Sequence, residues 1–338
     1  MRPRIIVSRT DRIGDVVLTL PLCGLLAEEL GAEVLFLGRG YTTPVLEACS
    51  AVSQILNWDT VADADAKAQA AFLRDTGADT ILHVYPHRAI ASAARRAGIP
   101  RRIGTTNRVY HWWNCNSLVR LSRRGSDLHE AQLNVRLAAR LLRRSDHSLT
   151  ELAEFGRLAA RVDAPEHALR LLAPDRINIA FQVKTRGSSR EWPLERWREL
   201  IRLLDGSRYR IGIIGTAEER ELIAELLVDP PPQVVDMTGL DLRELIATLA
   251  RMDGVVSCST GPLQVGAALS IHALGLVPPT RPIHPGRYAP LGARAEYVTP
   301  PAQCDACVAG REPCTCMSAI SARDVADRVS RWSRLSRV

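Results

Sequence analysis

The sequence predicts an α/β protein made of two Rossmann-like halves that face each other, each a parallel sheet with crossover helices. Three observations carry this prediction. Short β-branched runs alternate with helix-length amphipathic stretches along nearly the whole chain. The alternation restarts after Pro165 and Pro174. The 338 residues, 46% of them apolar, suffice for two separate cores.

In the first half the strand candidates are 5–8, 34–37, 54–58, 80–84 and 102–104. Helical patterns occupy 16–30, 43–49, 64–76, 90–97 and 131–144. In the second half, strands are expected at 177–183, 210–214, 234–236, 254–257 and 271–276. Helices are expected at 194–204, 217–227, 242–251 and 262–269. The expected domains are 1–165 and 175–320, the second ending in a cysteine-rich loop at 304–316. A final helical segment, 321–338, is expected to pack back on the first domain. In open parallel sheets ligands bind beyond the carboxyl ends of the strands, so the interdomain cleft is the expected site.

The composition excludes disorder, collagen-like repeats and a small disulfide scaffold. Only Lys67 and Lys184 are lysines, so 42 of the 44 basic residues are arginine, a bias that a GC-rich genome explains without phosphate recognition. The charge is unevenly spread. Between residues 86 and 144, thirteen arginines stand against Asp127 and Glu130, giving +11 in a chain whose total is +7. Such a segment either projects a field toward an anionic partner or is a set of solvated helix faces. The N-terminal Arg2 and Arg4 precede only Ile5-Ile6-Val7 before charge returns, too short for an export signal, and the apolar run 16–26 is too short to span a bilayer. A cytoplasmic protein is expected, with a peripheral place at the inner membrane face left open. Its eight cysteines are then reduced or metal-bound.

The stretch Ser8-Arg9-Thr10-Asp11-Arg12-Ile13-Gly14-Asp15 leads from a strand into a helix. It lacks both the three-glycine dinucleotide spacing and the Gly-Lys-Ser/Thr of a P-loop, which counts against nicotinamide and triphosphate ligands. Asp15 opens the helix, either as a cap or as a general base. Thr260-Gly261-Pro262 likewise follows a strand and starts a helix, where backbone N–H groups suit a diphosphate. Cys304, Cys307, Cys314 and Cys316 form C-x2-C-x6-C-x-C, a spacing for tetrahedral zinc or iron in a structural role, or for a reduced cluster. The other cysteines, Cys23, Cys49, Cys115 and Cys258, read as core. Trp112-Trp113 beside His111 read as packing, or as contact to an acceptor sugar or lipid.

Arg9-x-Asp11-Arg12-Ile13-Gly14-Asp15-Val16-Val17-Leu18-Thr19-Leu20-Pro21 resembles the opening of the heptosyltransferases of glycosyltransferase family 9. Further matches follow in order: His129-Glu130-Ala131-x-x-Asn134, Arg190-x-Trp192-Pro193-Leu194-Glu195-Arg196-Trp197, Thr238-Gly239, Thr260-Gly261-Pro262-Leu263, and Pro279-Thr280-x-Pro282. The resemblance implies a GT-B architecture with an acceptor-binding first domain and a nucleotide-sugar-binding second domain. It also implies inverting transfer of a heptose or related sugar from a nucleotide diphosphate, typically ADP-heptose, with no catalytic cofactor.

On this resemblance Asp15 matches the catalytic carboxylate. Lys184, Thr185, Arg190, Glu218, Met237, Ser259, Thr260, Gly261 and Gln264 are the donor-binding candidates, with Glu219 beside Glu218 and Arg186 on the loop of Lys184. Arg9, Arg12, Gly14 and Arg120 are the acceptor-binding candidates. Ser259, Gln264 and Arg281 depart from the Asp, His and Asp usual in the family, which leaves the sugar and nucleoside open. Some protein-modifying members carry an iron-binding cysteine knuckle that the 304–316 loop resembles. The expected acceptor is an anionic glycolipid such as lipopolysaccharide inner core, at the inner membrane face. The alternatives are a hydroxyl of a secreted adhesin, or a non-catalytic nucleotide-sugar or nucleic-acid binder, although no nucleic-acid partner is expected.

Overall fold

The computed structural model describes residues 2–123, 125–185, 187, 189–308 and 315–336, with the side chain of residue 308 left aside. The chain divides into two compact units, Met1–Leu158 and Ala159–Val338.

The first unit holds one parallel sheet of six strands: β1 (Arg4–Ser8), β2 (Glu33–Gly38), β3 (Gln54–Asn57), β4 (Thr80–His83), β5 (Arg101–Thr105) and β6 (Ser117–Val119). Their order is β3-β2-β1-β4-β5-β6, with Ile6 of β1 paired to Leu35 on one side and Ile81 on the other. Helices cover the sheet, so β1, β2 and β4 are continuous apolar runs rather than alternating ones. The expected helix 16–30 is two helices, Ile13–Val17 and Leu20–Leu30. Pro21 explains the break: inside one helix it would lack its N–H and press on the carbonyl four residues back, whereas in the first turn of a new helix neither matters. Gly31 then closes that helix at φ 60°, where a side chain would strain.

The second unit repeats the plan with β7 (Ile177–Gln182), β8 (Tyr209–Gly215), β9 (Val234–Thr238), β10 (Gly254–Cys258), β11 (His272–Leu276) and β12 (Ala295–Val298), ordered β12-β11-β10-β7-β8-β9. Strands β6 and β12 escaped sequence reading. Both are three- or four-residue edge strands without a fully buried position, so they carry no apolar run.

The core of the second unit centres on Phe181, Trp192 and Trp197, with ring centroids 5.3 and 5.0 Å apart. The C-terminal segment joins this core. Helix Ala322–Val329 buries Ala322, Val325, Ala326 and Val329 in this same core, and the indole N–H of Trp192 donates to the Ile320 carbonyl at 3.1 Å. Trp332 then stacks on His272 at 5.0 Å and fills the space over Gly254, where a Cβ would lie 2.3 Å from the indole. The apolar stripe at 322, 325, 326 and 329 is thus taken up by its own unit.

Candidate active site

In the first unit, the chain leaves β1 through Arg9–Arg12 and enters the helix Ile13–Val17. Arg12 occupies the cap position and makes no side-chain cap bond, so Asp15 is a first-turn residue and not the cap. Its carboxylate accepts from Nη2 of Arg9 at 2.6 Å, with the side chain 15% exposed. Arg9 itself is 3% exposed. It donates through Nε and Nη2 to both oxygens of Asp11, at 2.7 and 2.9 Å, and through Nη1 to Glu130 at 2.7 Å. Burial alone would lower the pKa of Arg9, but Asp15, then Glu130 and Asp11, hold it well above the ordinary arginine value.

Glu130 is fully buried and also pairs with Arg123, which reaches Asn134 Oδ1 at 2.9 Å and the Val84 carbonyl at 3.2 Å. The Asn134 amide in turn donates to the Leu18 carbonyl and Thr19 Oγ1, where the next helix starts. Sequence reading did not select Glu130 or Arg123 as site residues. The signal was there in the stretch His129-Glu130-Ala131-x-x-Asn134, since residues four apart share a helix face. Of the acceptor candidates, Arg9 is enclosed by its carboxylates, Gly14 lies half-buried beside Asp15, and Arg12 and Arg120 are exposed.

The donor candidates lie in the second unit, all but Met237 of β9 on segments leaving the carboxyl ends of three neighbouring strands. After β10, Thr260 begins the helix Gly261–Ala268 with no side-chain cap. Its hydroxyl instead donates to Gln182 Oε1 at 2.8 Å and lies 2.8 Å from Ser257 Oγ, which sets the turn. After β7, Glu191 organises the loop. One carboxylate oxygen takes Lys184 Nζ at 2.9 Å and the other takes the Thr185 N–H at 3.0 Å. The Thr185 hydroxyl is buried against Ser189 O and Glu191. Arg190 is half-buried on the same loop, and Arg186 lies outside the described residues.

After β8, Thr216 and Glu219 form a reciprocal cap, with Thr216 N–H on Glu219 Oε2 at 2.9 Å. Glu219 is 4% exposed and its Oε1 has no hydrogen-bond partner among the described residues, whereas Glu218 is exposed. Ser259 is half-buried and Met237 is packed against Gly212. Gln264 is buried, with its amide donating to the Tyr288 and Ala289 carbonyls and its oxygen accepting the Leu291 N–H. It anchors the 288–291 segment.

Three of the loop cysteines come together. The sulfurs of Cys304, Cys307 and Cys316 all lie within 4.8 Å of one another, and those of Cys307 and Cys316 are 3.6 Å apart. Backbone N–H groups of Cys307 and Thr315 aimed at Cys304 draw its thiol down to about 6. Cys314 lies outside the described residues.

Two parallel six-stranded α/β units in one chain, with polar loops at the carboxyl ends of their strands, are the architecture of the GT-B fold. The chain belongs to glycosyltransferase family 9 (heptosyltransferase), whose family model matches residues 70–317. The Asp15 loop lies outside that match. Solved structures extend the likeness over the whole chain. A glycosyltransferase family 9 protein of Veillonella parvula is 17% identical, with a TM-score of 0.76, 98% of this chain and 97% of that one covered. The ADP-heptose lipopolysaccharide heptosyltransferase II of Escherichia coli is 19% identical, with a TM-score of 0.75 and 97% of both chains covered. The iron-containing dodecameric glycosyltransferase TibC of enterotoxigenic E. coli is 13% identical, with a TM-score of 0.54, 97% of this chain and 75% of that one covered. No curated protein matches by sequence.

Two predictions follow from the first unit's polar core. Replacing Arg9 by Met leaves buried carboxylates facing one another, and is expected to lower unfolding free energy by about 3–5 kcal/mol in urea titrations. His83, at the end of β4, is fully buried 5.5 Å from the His111 ring, and burial, then His111, depresses it from 6.5 to about 3. The unfolded chain takes up a proton below pH 6.5 that the folded chain refuses. Stability should therefore fall as pH drops from about 6.5 toward 3, by at most about 1.4 kcal/mol per pH unit from this residue. A His83→Leu variant should show a flatter acid limb in the same titrations, and an unchanged limb would dissociate His83 from acid sensitivity.

Proposed function

We propose that this glycosyltransferase moves a heptose from ADP-heptose to a hydroxyl of an anionic glycolipid such as lipopolysaccharide inner core, with inversion at the anomeric carbon and Asp15 as general base. The observation that carries the reading is the Asp15 carboxylate held on the buried Arg9 guanidinium, in the segment leaving β1. The acceptor oxygen attacks the anomeric carbon as its proton passes to Asp15. The bond from that carbon to the diphosphate oxygen breaks, and the nucleoside diphosphate leaves. Arg9 acts as a positioning residue: its guanidinium holds the Asp15 carboxylate in place for the incoming hydroxyl. The helix start at Thr260 and Gly261 and the cations Lys184 and Arg190 take the diphosphate, whose charge grows as the bond breaks. The unbonded Oε1 of Glu219 suits a ribose hydroxyl.

The donor assignment is supported by family membership and by likeness to an enzyme named for ADP-heptose. Family membership also sets the non-catalytic readings aside. The +11 segment of the first unit favours an anionic acceptor. A second reading, transfer to protein hydroxyls, is favoured by one observation, the cysteine cluster in a chain similar to iron-containing TibC. In either case we propose that Cys304, Cys307 and Cys316, with Cys314 as the expected fourth ligand, hold a structural zinc or iron ion. Thiolates converging within 4.8 Å fit a tetrahedral ion, and the transfer itself needs no redox step.

Asp15→Asn should lower kcat by roughly 10²–10⁴ while donor affinity, read by calorimetry, stays within a few-fold. Near-normal turnover would remove Asp15 from the chemistry. Elemental analysis of gently purified protein should find one zinc or iron per chain, and Cys316→Ser should lose it together with thermal stability. Absence of both metals from the unaltered protein would sink the metal assignment.

A further inference from the structure

We propose that the first unit carries a docking surface for an anionic lipid bilayer, formed by Val109, Trp112 and Trp113 and a surrounding set of exposed arginines. This inference rests on the glycolipid reading of the acceptor and specifies how such an acceptor is reached. Val109, Trp112 and Trp113 are 69%, 64% and 63% exposed in one turn of chain that leaves β5. They are held in place. The Trp112 indole N–H donates to the Thr106 carbonyl at 3.0 Å, one residue beyond the strand, and His111 between them is buried, with its ring nitrogen 3.0 Å from the Thr105 N–H. Adjacent exposed indoles are unfavourable in water. At a membrane surface they are favoured, because the apolar body enters the headgroup boundary while the N–H keeps a partner.

The charge around them selects the membrane. All six strands run parallel, so the segments that follow them start at one edge of the sheet. Exposed arginines lie in four of these: Arg12 after β1, Arg88 after β4, Arg108 after β5 and Arg120 after β6. None of the four makes an ion pair among the described residues. Four acids that follow these strands are tied up in ion pairs. Asp11 and Asp15 lie on Arg9, Glu130 on Arg9 and Arg123, and Asp59 on Arg39. The segments nearest the tryptophans, 84–100 after β4 and 106–116 after β5, contain no acid and present Arg88 and Arg108 around an aromatic centre, the complement of anionic headgroups. Strands β1 and β5 are separated by β4 alone, so Asp15 and this surface start from points about 10 Å apart on one edge. An acceptor anchored in lipid would present its sugar beside the carboxylate.

Binding to vesicles tests this without donor or transfer, so its failure and that of the transfer reading are told apart. The full chain is sedimented with vesicles of phosphatidylcholine alone, and with equimolar phosphatidylcholine and phosphatidylglycerol. Binding to the second only, weakened by salt, is expected. The double variant Trp112→Ala/Trp113→Ala should bind about tenfold or more weakly, and Arg88→Ser and Arg108→Ser roughly fivefold each, with thermal midpoints unchanged. Equal binding to both vesicle types, or tryptophan variants that bind as the unaltered chain does, would overturn the proposal. So would a double variant that binds vesicles normally but loses self-association in sedimentation velocity, which would assign the patch to a second copy of the chain. A chain that ignores vesicles yet transfers sugar to a soluble acceptor would sink this surface and leave the enzyme reading standing.

Discussion

A guanidinium sealed from water at Arg9 organises the first unit. Transferring such a charge out of water costs several kcal/mol even after relaxation, and it is tolerated only when opposite charges and hydrogen bonds surround it. Here the partners come from three places: Asp11 in the loop after β1, Asp15 in the following helix turn, and Glu130 from a helix 121 residues away in sequence. The ion cluster is therefore a tie as well as an electrostatic device. It holds the β1 loop, the first helix turn and the helix Glu130–Leu137 in one register, and it fixes the Asp15 carboxylate, the proposed base.

The second unit solves a related problem with neutral groups. Its loops at the strand ends are rich in polar atoms, and most of these are committed to shaping the loops themselves. Glu191 closes the Lys184–Arg190 segment, Gln264 secures residues 288–291, and the Thr260 hydroxyl turns inward to Gln182. The helix start at Gly261 carries no side-chain cap among the described residues. In the proposed transfer, a helix start of that kind needs little reorganisation as charge builds on a leaving diphosphate. The cysteine cluster belongs to the same economy. Cys307 and Cys316 are part of the core that contains Trp192 and the C-terminal helix, so an ion there would brace that core.

Much of this was legible from the residues alone. The strand and helix periods, the two-unit plan and the Thr260 turn follow from apolar spacing and from Gly and Pro chemistry, which act over a few residues. The short edge strands were invisible because an exposed edge imposes no apolar alternation. The stretch His129-Glu130-Ala131-x-x-Asn134 marks Glu130 and Asn134 as sharing a helix face, but the partner of Glu130, Arg9, lies 121 residues away and no local pattern names it.

By itself, then, the sequence determined which chemistry-bearing groups exist and which strand ends they follow: Asp15 after the first strand, Thr260 after the tenth, and four cysteines within one loop. Tertiary structure decided what each group faces. Only folding turned Arg9 from an acceptor candidate into the buried partner of three carboxylates, turned Gln264 from the donor toward the backbone of 288–291, and enclosed the C-terminal helix in its own unit. The physical reason is that burial and long-range pairing set the energy of a charge or an amide, and neither is encoded in its neighbours along the chain.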